Sequence, residues 1–165
     1  HPTVYPILIT LAEQHGFQGI RLPRDDLRPA LRWDRTRMGA KLTWKAVYSL
    51  LCGLARRRLQ RSALFYTDRV YGLLQSGQMH EGYVVSLLRT IAPHIHSAEL
   101  YFHPCPEAFD GPLGPNPGDL AALLSPQVRR AIAERGAQLC TYPALQAGRV
   151  ADRLRRAPCS GQSCS

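Results

Sequence analysis

His103 holds the position in this chain best suited to chemistry. It closes the segment Glu99-Leu-Tyr-Phe-His-Pro104, in which a short apolar run reads as a strand and the proline-rich stretch behind it reads as a loop. In parallel α/β folds, side chains at the carboxy ends of strands line the ligand crevice, so a histidine there can meet a ligand. Pro104 fixes φ as the chain leaves the strand. The competing reading is that His103 only caps the strand and bonds a loop carbonyl. Arg21 is the second residue of interest, a charge inside the otherwise apolar Gly19-Ile-Arg-Leu-Pro23. A buried guanidinium without a partner is costly, so Arg21 should face a substrate oxygen, a carboxylate or solvent, or form a structural ion pair with Asp25 or Asp26.

The remaining chemistry-bearing residues point nowhere so definite. His94 and His96 have the spacing of two metal ligands but lie in a polar turn after Pro93, which reads as a solvated loop. His15 and His80 stand at helix ends, where they interact with local dipoles or face water. The five cysteines, Cys52, Cys105, Cys140, Cys159 and Cys164, follow no zinc spacing. An odd count without a secretory signal fits reduced thiols in a cytosolic protein. The chain has no Walker motif, no G-x-S-x-G elbow and no G-x-G-x-x-G after a strand.

The elements that would position these residues are legible from periodicity. Residues 3–16 repeat apolar side chains at helical spacing and meet Gly16; residues 19–23 read as a strand ended by proline. Residues 24–40 read as an arginine-rich loop. Residues 41–61 predict the longest helix, apolar nearly all round, with Arg56, Arg57, Arg58 and Arg61 crowding its last turns. Cations there complement the helix dipole. The other reading is an amphipathic element on an anionic membrane surface, with Trp44 and Tyr48 as interfacial aromatics. Residues 68–72 and 97–102 read as strands, 79–92 and 125–136 as helices, 104–118 as a loop, and 137–142 as a last strand. Helices alternating with short strands indicate an α/β fold with a parallel sheet.

The chain has 165 residues, enough for one domain or a large piece of one. It carries 21 basic and 12 acidic residues, a net charge of +9, which suggests acidic partners or simply an arginine-rich composition. The arginines cluster at helix ends and in the tail rather than among aromatics, which weighs against nucleic acid. No apolar run reaches the roughly 20 residues of a membrane span. The chain opens on His1 and an apolar helical pattern, so a fragment or processed product is expected. Residues 1–145 are read as domain and residues 146–165 as a basic, low-complexity, poorly ordered tail.

Four segments, in order, resemble the distal part of the YdjC-like carbohydrate deacetylases. They are His1-Pro-Thr-Val-Tyr-Pro6 with Gly19-Ile-Arg-Leu-Pro-Arg24, then Val70-Tyr-Gly72 through Met79, then Ala98-Glu-Leu-Tyr-Phe-His-Pro104, and finally Ser125-Pro-Gln-Val128 through Leu139. The resemblance implies a partial (β/α) barrel-like fold with parallel strands whose amino-terminal half is missing. It also implies hydrolytic removal of an N-acetyl group from an amino sugar with a divalent metal, Mg or Zn. The family's metal-binding aspartate and histidine motifs are absent from these residues, and His1 would trail its histidine-rich stretch, so the chain is expected to be inactive alone. His103 becomes the expected catalytic residue, with Arg21, Tyr71, Gly72 and Pro104 as expected substrate contacts. The long segment between Arg21 and Tyr71 is closest to the hopanoid-biosynthesis branch, implying an N-acetylglucosaminyl lipid as substrate. Residues 41–61 would then make peripheral contact with the inner face of the cytoplasmic membrane. Two alternatives stay open: a deacetylase of soluble N-acetylated oligosaccharides, and a basic membrane- or nucleic-acid-binding module without catalysis.

Overall fold

Val70 and Tyr71 are almost fully buried, and the chain is arranged around them. The computed structural model describes residues 4–36, 38–105 and 116–148. Strand β1 (Arg69–Tyr71) pairs in parallel with β2 (Ala98–Leu100), Arg69 opposite Ala98, Val70 opposite Glu99 and Tyr71 opposite Leu100. A third run, residues 18–24, lies parallel along the other side of β1. Its Ile20 N–H donates to the Phe65 carbonyl, the Phe65 N–H to Gln18, and the Val70 N–H to Arg24. The fold is thus a mixture of helices with a small parallel sheet.

The predicted strand at 19–23 is reduced to one bridge, Gly19 to Phe65. Pro23 brings no N–H to a ladder, and the Arg24 N–H turns back onto Leu22. The expected loop over 24–40 is largely helical instead: α2 spans Leu27–Trp33 and α3 spans Met38–Leu59. Pro29 had suggested a loop, yet it occupies the first turn of α2, where a missing N–H costs nothing. The predicted last strand over 137–142 does not form. Leu139 and Cys140 are exposed with no strand beside them, and residues 142–148 are helical. The expected loop over 104–118 ends early, because α5 (Pro117–Leu124) starts at a proline suited to a first turn. Residues 106–115 lie outside the described residues, as do Cys159, Cys164 and nearly all of the expected tail.

The other elements follow the periodicity. Helix α1 spans Val4–Gln14, α4 spans Glu81–Thr90 and α6 spans Pro126–Glu134. The start of α6 is set by Ser125, whose hydroxyl oxygen accepts from the N–H groups of Gln127 and Val128, with Pro126 at the first position. Its end is set by Gly136, whose φ of 66° is the left-handed value that a side chain disfavours.

Two cores result. Tyr83, Val84, Leu87 and Leu88 of α4 pack with Tyr71, Met79, Ala122, Val128 and Ala131. Ile9 of α1 packs with Leu22 and with Cys52, Ala55 and Leu59 of α3 in a smaller one. No helix among the described residues is long and apolar enough to cross a membrane.

Candidate functional site

The register of the sheet decides which side chains meet. Paired residues of parallel strands point to the same face and neighbours along a strand to opposite faces. Tyr71 therefore faces the same way as Leu100, toward α4, and Phe102 joins them against that core. Glu99, Tyr101 and His103 fall on the other face. Ile20 and Leu22 pack toward α1 and α3, which turns Arg21 to the face that carries Glu99.

On that face five side chains form a row. Arg21 pairs with Glu99, and its guanidinium carbon lies 4.8 Å from the centre of the Tyr101 ring. The Tyr142 hydroxyl donates to the other Glu99 oxygen at 2.7 Å. His103 stands edge-on to Tyr101, ring centres 4.6 Å apart and planes at 76°. The hydrogen bond and charge of Glu99 raise the pKa of Arg21, while burial, followed by the bond to Glu99, pushes Tyr142 up to about 12. Glu99 is thus saturated by two donors, and Arg21 is committed to it. Among the described residues no side chain hydrogen-bonds the imidazole of His103, which stands at the end of the row.

Two features fix where His103 sits. Tyr101 donates its N–H to the Tyr71 carbonyl at 2.8 Å, and Gly72, with φ of 105°, passes so close that a Cβ would lie 2.4 Å from the Tyr101 carbonyl. No other residue fits there without displacing the strand end. Two residues on from Tyr101, the His103 N–H donates to Asp119 Oδ2 at 2.9 Å, while Asp119 Oδ1 accepts from Met79 N–H at 2.8 Å. Asp119 is fully buried in the first turn of α5 and so ties the loop after β1 to the loop after β2.

Of the expected substrate contacts, Arg21 shares the row with His103, the expected catalytic residue, and Gly72 lies beneath it as a backbone support. Pro104 is exposed next to His103. Tyr71 lies on the opposite face, its hydroxyl donating to Asp26 Oδ2 at 3.1 Å. The expected pairing of Arg21 with Asp25 or Asp26 gives way to Glu99, because Asp26 is taken by Arg69 Nε at 2.8 Å and Asp25 is turned inward. Asp25 Oδ2 accepts from the N–H groups of Gly72 and Leu74, and among the described residues its Oδ1 has no partner. Burial pushes Asp25 up from 3.8 to about 6, with backbone N–H groups pulling the other way. Glu99, Tyr142, Asp119 and the inward role of Asp25 escaped the sequence reading. Glu99 alone had a signal there, as a charge within a predicted strand two residues before Tyr101.

His94 and His96 are exposed in the turn after α4. Among the described residues no three His, Cys, Asp or Glu side chains converge as a metal site would require. No step through a metal is derived from the described residues.

The family model of the YdjC-like proteins matches residues 1–134, and the chain belongs to that family. The family includes carbohydrate deacetylases, so hydrolysis of an acetylated carbohydrate is the general activity that membership suggests. No curated protein and no solved structure matches the chain.

Proposed function

We propose that this chain supplies the substrate-facing sheet of a carbohydrate N-deacetylase with a (β/α) barrel-like fold. The substrate is an N-acetylglucosaminyl lipid of the hopanoid type. One observation carries the reading: in a YdjC-like chain, His103 and Arg21 stand on one face of three parallel runs, linked through Tyr101. In the reaction water adds to the acetyl carbonyl and the C–N bond breaks, giving acetate and a free amine. His103 as imidazolium gives its proton to the departing nitrogen. Arg21, held against Glu99 and Tyr101, offers its remaining N–H groups to sugar oxygens. A divalent metal, Mg or Zn, held by residues other than the described ones, would supply polarisation of the acetyl carbonyl.

The lipid part of the reading is supported by α3. Trp44, Leu50 and Leu54 are exposed on it, Trp44 stacks on Tyr48 at 5.8 Å, and Arg56, Arg57 and Arg58 close its last turn. Such a helix suits peripheral contact with an anionic membrane face.

The test is acetate release from an N-acetylglucosaminyl lipid and from a soluble N-acetylated oligosaccharide. It uses the longest in-frame product containing these residues. His103→Gln is expected to slow release from the lipid about 100-fold; an unchanged rate removes His103 from the chemistry. The 165-residue chain alone is expected to release none, and metal-dependent release by it would overturn the placement of the ligands. Flotation with anionic liposomes is expected to be lost when Arg56, Arg57 and Arg58 are changed to Glu; equal flotation removes the membrane contact.

A further inference from the structure

The face of the sheet opposite His103 holds a different feature. Between α2 and the end of α4 lies an open cleft of about 1190 Å³. Its cations are Arg28, Arg32, Arg35, Lys45 and Arg69, and its one carboxylate is Asp26. Asp26 is already neutralised, since it accepts from Arg69 Nε with both oxygens at 2.8 Å and from the Tyr71 hydroxyl. Arg28 and Arg32 are one turn apart on α2, so they project side by side, and Arg35 follows just beyond the helix. Among the described residues none of these three forms an ion pair. Asp34, the carboxylate nearest in sequence, is spent on Lys41 at 2.8 Å and on Thr36.

Arg24 is held below its usual pKa by burial and then by the charges of Arg69, which lines the cleft, and Arg56. Three guanidinium forks without carboxylates in one concavity repel one another and attract a compact multivalent anion. The floor is apolar, formed by Leu27, Leu31, Met38 and Ile91, and suits the organic part of such a ligand. A nucleic-acid strand would want aromatic faces to stack on. The cleft has Tyr71, whose hydroxyl is bonded to Asp26 and which is buried in the core around α4, and beside it the single imidazole of His94.

We propose that the α2–α4 cleft binds an organic phosphate or diphosphate ester, its phosphate oxygens bridged by Arg28, Arg32 and Arg35 and its organic part laid on Leu27, Leu31 and Ile91. The site is independent of the His103 row and of the deacetylase reading.

Calorimetric titration with two probes tests it: inorganic pyrophosphate, and dihexanoyl phosphatidic acid below its micellar concentration. At least one probe is expected to bind, with an affinity that falls as salt rises. The double variant Arg28→Ala/Arg32→Ala is expected to weaken binding by about tenfold or more. Lysine at both positions is expected to restore part of it, because charge returns without the fork. Arg129→Ala/Arg130→Ala on α6 serves as a control of equal charge loss and is expected to leave binding intact. Preference for pyrophosphate assigns the site to free phosphates, and preference for phosphatidic acid assigns it to a lipid headgroup; either supports the site. The proposal is overturned if neither probe binds at 10-fold the concentration typical of a millimolar site, or if control and cleft variants weaken binding equally. It is also overturned if a DNA or RNA oligomer binds with the same arginine dependence and displaces the phosphate probe.

Discussion

Leu87 on α4 is 1% exposed and Leu50 on α3 is 67% exposed. Both are leucines in well-formed helices, and the difference lies in what surrounds the helix. Around α4, the helices α5 and α6 and strands β1 and β2 close a core among the described residues. Around α3, Leu42, Trp44, Val47, Leu50 and Leu54 face outward, and Val4, Ile7, Leu8 and Leu11 of α1 do the same. Contiguous apolar surface of this kind marks a binding face or an aggregation liability. Secondary structure therefore does not report on how complete a core is: α3 is the longest helix here, yet Leu42, Trp44, Val47, Leu50 and Leu54 stay exposed.

Substitutions can break or sharpen this contrast. The largest effect is expected for Leu87→Ala, a loss of about 3 kcal/mol in denaturant unfolding, against less than about 0.5 kcal/mol for Leu50→Ala. Equal losses would mean that α3 is as well covered as α4. Next comes Asp119→Ala, which strands the N–H groups of Met79 and His103 at the margin of the closed core. It should cost about 2 kcal/mol, and hydrogen exchange should rise at those two amides ahead of the rest of α4. Protection kept at both would show that α5 does not hold His103 in place.

Asp25 lies between the two cores and is expected to act in the opposite direction. Its pKa of about 6 in the fold exceeds the 3.8 of the free side chain, so the native state binds the proton more tightly than the unfolded chain. That contribution is fully present below about pH 3.8 and is lost as pH rises through about 6. Asp25→Asn keeps an oxygen for the Gly72 and Leu74 N–H groups and removes the buried charge. It should raise stability by about 2 kcal/mol at pH 7 and by almost nothing at pH 4. A gain independent of pH would mean that the carboxylate is not the cause. The smallest effect is expected at the rim of the closed core. Arg89 and Glu134 pair at 3.5 Å with both side chains more than half exposed, and Arg89→Ala should cost less than about 0.5 kcal/mol in the same assay.

Local order was the readable part of this molecule. The apolar spacing of 79–92, and Ser125-Pro126 ahead of an apolar run ending at Gly136, fixed α4 and α6 without any tertiary help, because caps and periodicity act within a few residues. The same holds for the basic end of α3, while β2 forms but stops at Leu100, short of the expected run to Phe102. Errors fell where a local signal was ambiguous. Pro29 reads as a loop residue until its place in a first turn is known. Residues 137–142 have strand-like composition, but a strand needs a neighbour to pair with, and none pairs with them among the described residues.

The partnerships of the site belong to another level. Arg21 announced in the sequence that it needed a partner, since an isolated guanidinium in an apolar strand is unstable. Which carboxylate answers depends on the register of three parallel runs, and that register sets Glu99 rather than Asp25 or Asp26 on its face. Asp119 gave no sign of its link to His103, 16 residues away, because only the docking of α5 against α4 brings it under that backbone. The family resemblance put Tyr71 and His103 in one site. The two-residue alternation of paired strands sends them to opposite faces, and that separation follows from the pairing of the chain rather than from its composition.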